Sequence, residues 1–120
     1  MNAAFCFALS FAFELEELDL TGDIHVGDDG LMLLPKGEVK NTETKAMEII
    51  GLPRLRVIKF GGLAKMTDHS IMKIAHSSNV LEHLELSKCE QLTEYSIENI
   101  IKSNSSLMFL DLNGIPTINQ

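Results

Sequence analysis

The first third of the chain lacks positive charge. No Lys or Arg precedes Lys36, whereas Glu14, Glu16, Glu17, Asp19, Asp23, Asp28 and Asp29 all do, and the 120-residue chain has a formal net charge of −7. Nucleic acids and anionic membranes are bound through basic patches. So acidic a stretch argues against both and leaves protein partners with a basic surface. The apolar run Ala3–Phe13 also lacks the charged flank of a secretory signal. It falls well short of the roughly 20 residues a membrane-spanning helix needs.

Cysteine is scarce as well. Cys6 and Cys89 are too few for a disulfide framework, which points to reduced thiols and an intracellular chain, cytoplasmic in the first reading and mitochondrial in the second. The sequon Asn104-Ser105-Ser106 matters only to a secreted chain. Catalytic grammar is missing too. His25, His69, His76 and His83 form no HExxH motif and have no close pair of cysteines. Gly61-Gly62 is not followed by the Gly-Lys-Ser/Thr of a phosphate loop. Glu16 and Glu17 adjoin in an expected strand, where successive side chains face opposite ways. The sequence therefore suggests no enzyme, no cofactor and no metal.

What the chain does have is recurrence. Leu81, Leu84 and Leu86 open a segment that continues with Cys89, Leu92-Thr93-Glu94, Ile97, Ile100 and Ile101. Twenty-six positions earlier stand Leu55, Ile58 and Phe60, then Leu63, Met66-Thr67-Asp68, Ile71, Ile74 and Ala75. Twenty-six positions later come Leu107, Leu110, Leu112 and Ile115. Each unit has a half with two-residue alternation and a half with helical spacing, as in a solenoid of leucine-rich units. An earlier unit begins at Leu15, Leu18 and Leu20, with Asp23 in the cysteine position and Leu31 and Leu34 in the helical half. The expected architecture is a right-handed α/β leucine-rich-repeat solenoid of about four repeats, with parallel strands on the concave face and helices on the convex face.

Residues 1–14 read as a capping helix or half-repeat, with Phe5, Ala8, Leu9 and Ala12 on its inward face. Residues 15–120 read as the repeat domain. Because Leu55 arrives fourteen positions late, an insertion near 35–51 is expected: a turn at Pro35-Lys36-Gly37, a polar stretch, then a short helical piece over 46–50. Thr67 and Thr93 are expected to cap their helices through their hydroxyls. Ile71, Ile74, Ala75, Ile97, Ile100 and Ile101 should form the inward helical stripe. The last repeat shows a strand and no helical half, so its open end is expected to be covered by a partner in a larger complex, by an oligomer contact or by further chain beyond this sequence.

In this architecture the outward strand residues stack in columns. Glu17, Val57, His83 and Phe109 make one column, and Asp19, Lys59, Glu85 and Asp111 make the next. An aromatic spot with an acidic border suits a protein contact. These eight residues are the candidate interaction site.

The pattern Leu-x-x-Leu-x-Leu-x-x-Cys-x-x-Leu-Thr-(Asp/Glu), best kept at 81–118, resembles the cysteine-containing leucine-rich repeats found in the substrate-binding tails of F-box proteins. Asp23 and Leu63 replace the cysteine, and Asn79 and Ser105 replace a proline common before the next strand. The resemblance implies a protein-binding module, the substrate-recognition part of an F-box-like ubiquitin-ligase receptor. No F-box fits upstream of Leu15. The alternative implied is a scaffold or assembly subunit, as in small mitochondrial proteins related to factor B of the ATP synthase.

Overall fold

A computed structural model describes residues 2–118. The chain is mixed α/β, with one four-stranded parallel sheet at its centre. The sheet strands are β1 (Glu17–Asp19), β4 (Val57–Lys59), β5 (His83–Glu85) and β6 (Phe109–Asp111), side by side in that order. Between them lie α2 (Asp28–Leu31), α3 (Asp68–Ser78) and α4 (Glu94–Ser103). Helix α1 (Ala3–Leu9) precedes the sheet, and a small antiparallel ribbon of β2 (Glu38–Lys40) and β3 (Met47–Ile49) stands apart from it.

Strand register follows the sequence recurrence. Leu18, Ile58, Leu84 and Leu110 sit opposite one another in a single row. Their neighbours point to the other face because strand side chains alternate. Leu18 is 8% exposed, and Ile58 and Leu84 are fully buried. The core continues through Leu55, Phe60, Leu63, Leu81, Leu86, Cys89 and Leu92 and meets Ile71, Ile74, Ala75, Ile97 and Ile100 from the helices. Cys89 serves this core: its Sγ donates to the Phe60 carbonyl at 3.0 Å, and burial pushes its thiol pKa up.

Four local expectations are corrected. First, residues 46–50 hold a strand rather than a helical piece. Asn41 Oδ1 accepts from the backbone N–H groups of Glu43 and Thr44, and Lys45 has φ 66°, which closes a tight turn and folds Met47–Ile49 back on Glu38–Lys40. The ribbon leaves the body at Gly37, where an added Cβ would fall 1.8 Å from the Ser10 carbonyl oxygen. Only glycine fits there.

Second, α1 turns a different face inward. Cys6 and Ser10 are buried and Leu9 partly so, while Phe5 is 55% exposed and Ala8 is exposed. Third, Ile101 is 49% exposed although Ala75, its counterpart one repeat earlier, is fully buried. Helix α4 covers Ala75, and among the described residues no helix covers α4 in turn.

Fourth, Thr67 and Thr93 stand at the helix starts in extended conformation, but neither hydroxyl caps its own helix. Each donates to a carboxylate of the preceding repeat. Asp28 accepts from Thr67 N (3.0 Å), the Thr67 hydroxyl and Ser70 Oγ (2.5 Å). Asp68 accepts from Thr93 N (2.9 Å), the Thr93 hydroxyl and Ser96 Oγ (2.5 Å). The first repeat places Gly27 and Gly30 where the others have threonine and serine. Burial raises the Asp28 pKa, but the hydrogen bonds from Ser70 and Thr67 outweigh this and hold it below the ordinary carboxylate value.

Asn104 ties the far ends of the repeats. Its Oδ1 accepts from Leu81 N at 3.0 Å, and its Nδ2 donates to the carbonyls of Ala75 and Ile100. At 1% exposure it offers no amide for a sugar, so in this fold the sequon it begins is a packing feature.

Candidate interaction face

The face opposite the core row carries the two columns expected from sequence. Glu17, Val57, His83 and Phe109 lie in register, as do Asp19, Lys59, Glu85 and Asp111. The parallel strands place all eight side chains on one side of the sheet. They are not equivalent.

Val57 is only 8% exposed and adds little surface. Glu17 is exposed, and its Oε1 lies 3.6 Å from Arg56 Nη2. The same guanidinium reaches Glu16 Oε1 at 3.2 Å through Nε. These ion pairs join the start of β1 to the start of β4, and such exposed pairs contribute at most about 1 kcal/mol.

His83 and Phe109 form the centre of the face. Their rings stack at 4.4 Å between centroids with planes 7° apart. The imidazole Nε2 meets Glu85 Oε2 at 2.5 Å. His83 and Glu85 lie two residues apart on one strand, so both project from the same face. Phe109 is 49% exposed. A ring pinned on one side by an imidazole and open on the other has lost its rotamer freedom in advance, which favours it as a contact residue.

The acids at the strand ends have local partners. Asp19 Oδ1 accepts from Thr21 N at 2.9 Å, and Asp111 Oδ1 accepts from Asn113 N at 3.0 Å. Each closes the turn after its strand. Hydrogen bonds from Thr21, with a smaller contribution from Lys59, hold the Asp19 pKa below the usual carboxylate range.

Sequence reasoning missed the Asp28 and Asp68 bonds, which tie the start of each helix to the start of the next. A signal was present. Thr67-Asp68-x-Ser70 and Thr93-Glu94-x-Ser96 repeat at the same interval as the leucines.

On the helical side, a groove of about 250 Å³ runs between α3 and α4, bordered by His69, Met72, Lys73 and His76 on one helix and Asn99 and Ile100 on the other. Among the described residues no three His, Cys, Asp or Glu side chains converge on a metal-sized point, and no helix is long and apolar enough to cross a membrane. Compared with family models, curated proteins and solved structures, the chain matches none.

Proposed function

We propose that this chain is a leucine-rich-repeat solenoid of the cysteine-containing kind, and that it acts as a non-enzymatic protein-interaction module inside the cell. Its partner, with a basic surface, docks on the outward face of the four-stranded sheet. The observation that carries this reading is the stacked His83–Phe109 pair, half-open and bordered by Glu85 and Asp111, with Asp19 on the far strand of the same face. An aromatic anchor inside a charged rim supplies both the desolvated contact and the selectivity that protein interfaces use. The resemblance to F-box repeat tails favours a substrate receptor of a ubiquitin ligase. A scaffold or assembly subunit is the second reading, favoured by the exposed Ile101 on α4 and Met108 beside β6.

The test is comparative capture. The chain, its D19K/E85K/D111K variant and a control reversed on the helical side at Lys73 are used as baits under identical conditions, with circular dichroism confirming that all three fold. The account expects proteins held by the parent and the control and lost from the strand-face variant. Equal capture by all three removes the face from consideration. A ligase adaptor among the captured proteins selects the receptor reading, and a fixed set of subunits from one assembly selects the scaffold.

A further inference from the structure

The two ends of the sheet are treated differently by the chain. At the first end, β1 presents Glu17 and Asp19, acids of the kind that keep edge strands from pairing, and α1 packs over α2. At the other end, β6 is the terminal strand and pairs only with β5 among the described residues. Met108 is 79% exposed there, Phe109 and Ile101 each 49%. A cleft of about 300 Å³ opens between the end of α4 and β6, lined by Ile101, Asn104, Leu107, Met108 and Leu110. One repeat earlier, the counterparts Ala75, Leu81 and Leu84 are fully buried. Apolar surface that repeat-on-repeat packing covers elsewhere lies open at this flank.

From this we infer that the flank is covered by a second copy of the chain, joined about a two-fold axis, β6 to β6 and α4 to α4. Head-to-tail addition is excluded by the first repeat. An arriving copy would have to meet the exposed Glu94 with a threonine and a serine, as Thr67 and Ser70 meet Asp28 and as Thr93 and Ser96 meet Asp68. It carries Gly27 and Gly30 instead. Gly30 is already closed off by α1: an added Cβ would lie 3.2 Å from Cys6 Sγ and 3.6 Å from Ala3 Cα.

Charge then selects the two-fold arrangement. The α3 flank that faces α4 carries His69, Met72, Lys73 and His76. One repeat on, these positions are Tyr95, Glu98, Asn99 and Lys102; Asn99 borders the groove with α3, and the exposed Tyr95, Glu98 and Lys102 are left for the open flank of α4. Glu98 and Lys102 are exposed, and Lys102 stands in the last turn. A parallel neighbour would set Glu98 beside its own copy. An antiparallel neighbour brings Glu98 towards Lys102 of the other copy, twice by symmetry. On the strands, antiparallel pairing centred on Leu110 puts Phe109 opposite Asp111 of the copy, so neither Asp111 faces itself. The result is an eight-stranded sheet with two His83–Phe109 stacks flanking its centre.

Sedimentation velocity of the 120-residue chain up to about 100 µM, the upper range for a specific but modest contact, tests this. The expected result is a reversible dimer. E98K and K102E should each weaken it about tenfold or more, because each places like charges together. The double variant E98K/K102E, which restores opposite charges across the axis, should recover most of the affinity. Both positions are solvent-exposed, and unchanged thermal melts confirm that the variants fold. A chain that stays monomeric at the top concentration overturns the inference, and so does open-ended growth beyond the dimer. A dimer indifferent to both charge reversals refutes the geometry.

Discussion

From β4 to α4 the chain nearly repeats itself: two strands of equal length, helices of eleven and ten residues, and buried apolar residues in matching places. From α1 to β3 it does not. There the helical half of the repeat shrinks to the four residues of α2 and a short 3-10 turn, Leu34–Lys36, and a two-stranded ribbon juts out before β4 begins. Yet β1 lies beside β4 in the same register that β5 keeps with β6. The difference separates what the fold requires from what it tolerates. Strand register and the buried row are kept, while the length of the returning segment is free. Closing a longer loop costs little, since each doubling of its length adds only about 0.6 kcal/mol.

The sharpest way to break this contrast is to hollow the row. Leu84→Ala, at a fully buried centre, should cost about 2–5 kcal/mol in urea unfolding, enough to unfold a domain of ordinary marginal stability. Leu18→Ala, on the terminal strand and 8% exposed, should cost visibly less. Equal losses would mean that the irregular half is as tightly packed as the regular one.

Next come the carboxylates between repeats. Asp68→Asn and Asp28→Asn each leave a donor without its charged acceptor and should cost about 1–3 kcal/mol. For Asp28 the sign with pH is defined. Its pKa is lowered in the folded state, so its contribution is present above the ordinary carboxylate value and is lost as pH falls through the lowered one. The gap between parent and D28N should therefore be full at neutral pH, shrink below about pH 4 and close in stronger acid. A gap that grows in acid would contradict the hydrogen-bonding role.

The smallest effect is expected from replacing residues 39–48 with a short glycine-rich link. Nearly all of that ribbon is exposed, and unfolding free energy should move by less than about 1 kcal/mol. Loss of the folded state would show that the ribbon supports the body.

How much of this could be read in the sequence depends on how often a signal recurs. The leucine positions return at 18, 58, 84 and 110, and their row appears in the sheet. Helix α1 was misoriented because Phe5-Cys6-Phe7-Ala8-Leu9 has no polar side to fix its rotation. Only Gly30 beneath it shows that small Cys6, rather than Phe5, faces inward. The ribbon was missed because Met47-Glu48-Ile49 is too short for its period to speak, and the turn that directs it rests on Asn41 bonds to nearby backbone. Threonine and aspartate at a helix start satisfy a local capping rule so well that their bonds to the neighbouring repeat went unread. The candidate face was legible as two columns of residues. The His83–Phe109 stack and the near-complete burial of Val57 required the coordinates.

The account depends most on successive strands lying side by side at a spacing of one repeat, so that outward side chains meet as neighbours. A nuclear Overhauser spectrum of the isotope-labelled chain measures this without mutation. Cross-peaks between the His83 imidazole protons and the Phe109 ring, with none from that imidazole to the Leu110 methyls, are the predicted result. His83 contacts that run to Leu110 instead would place the strands one residue out of step and contradict the account.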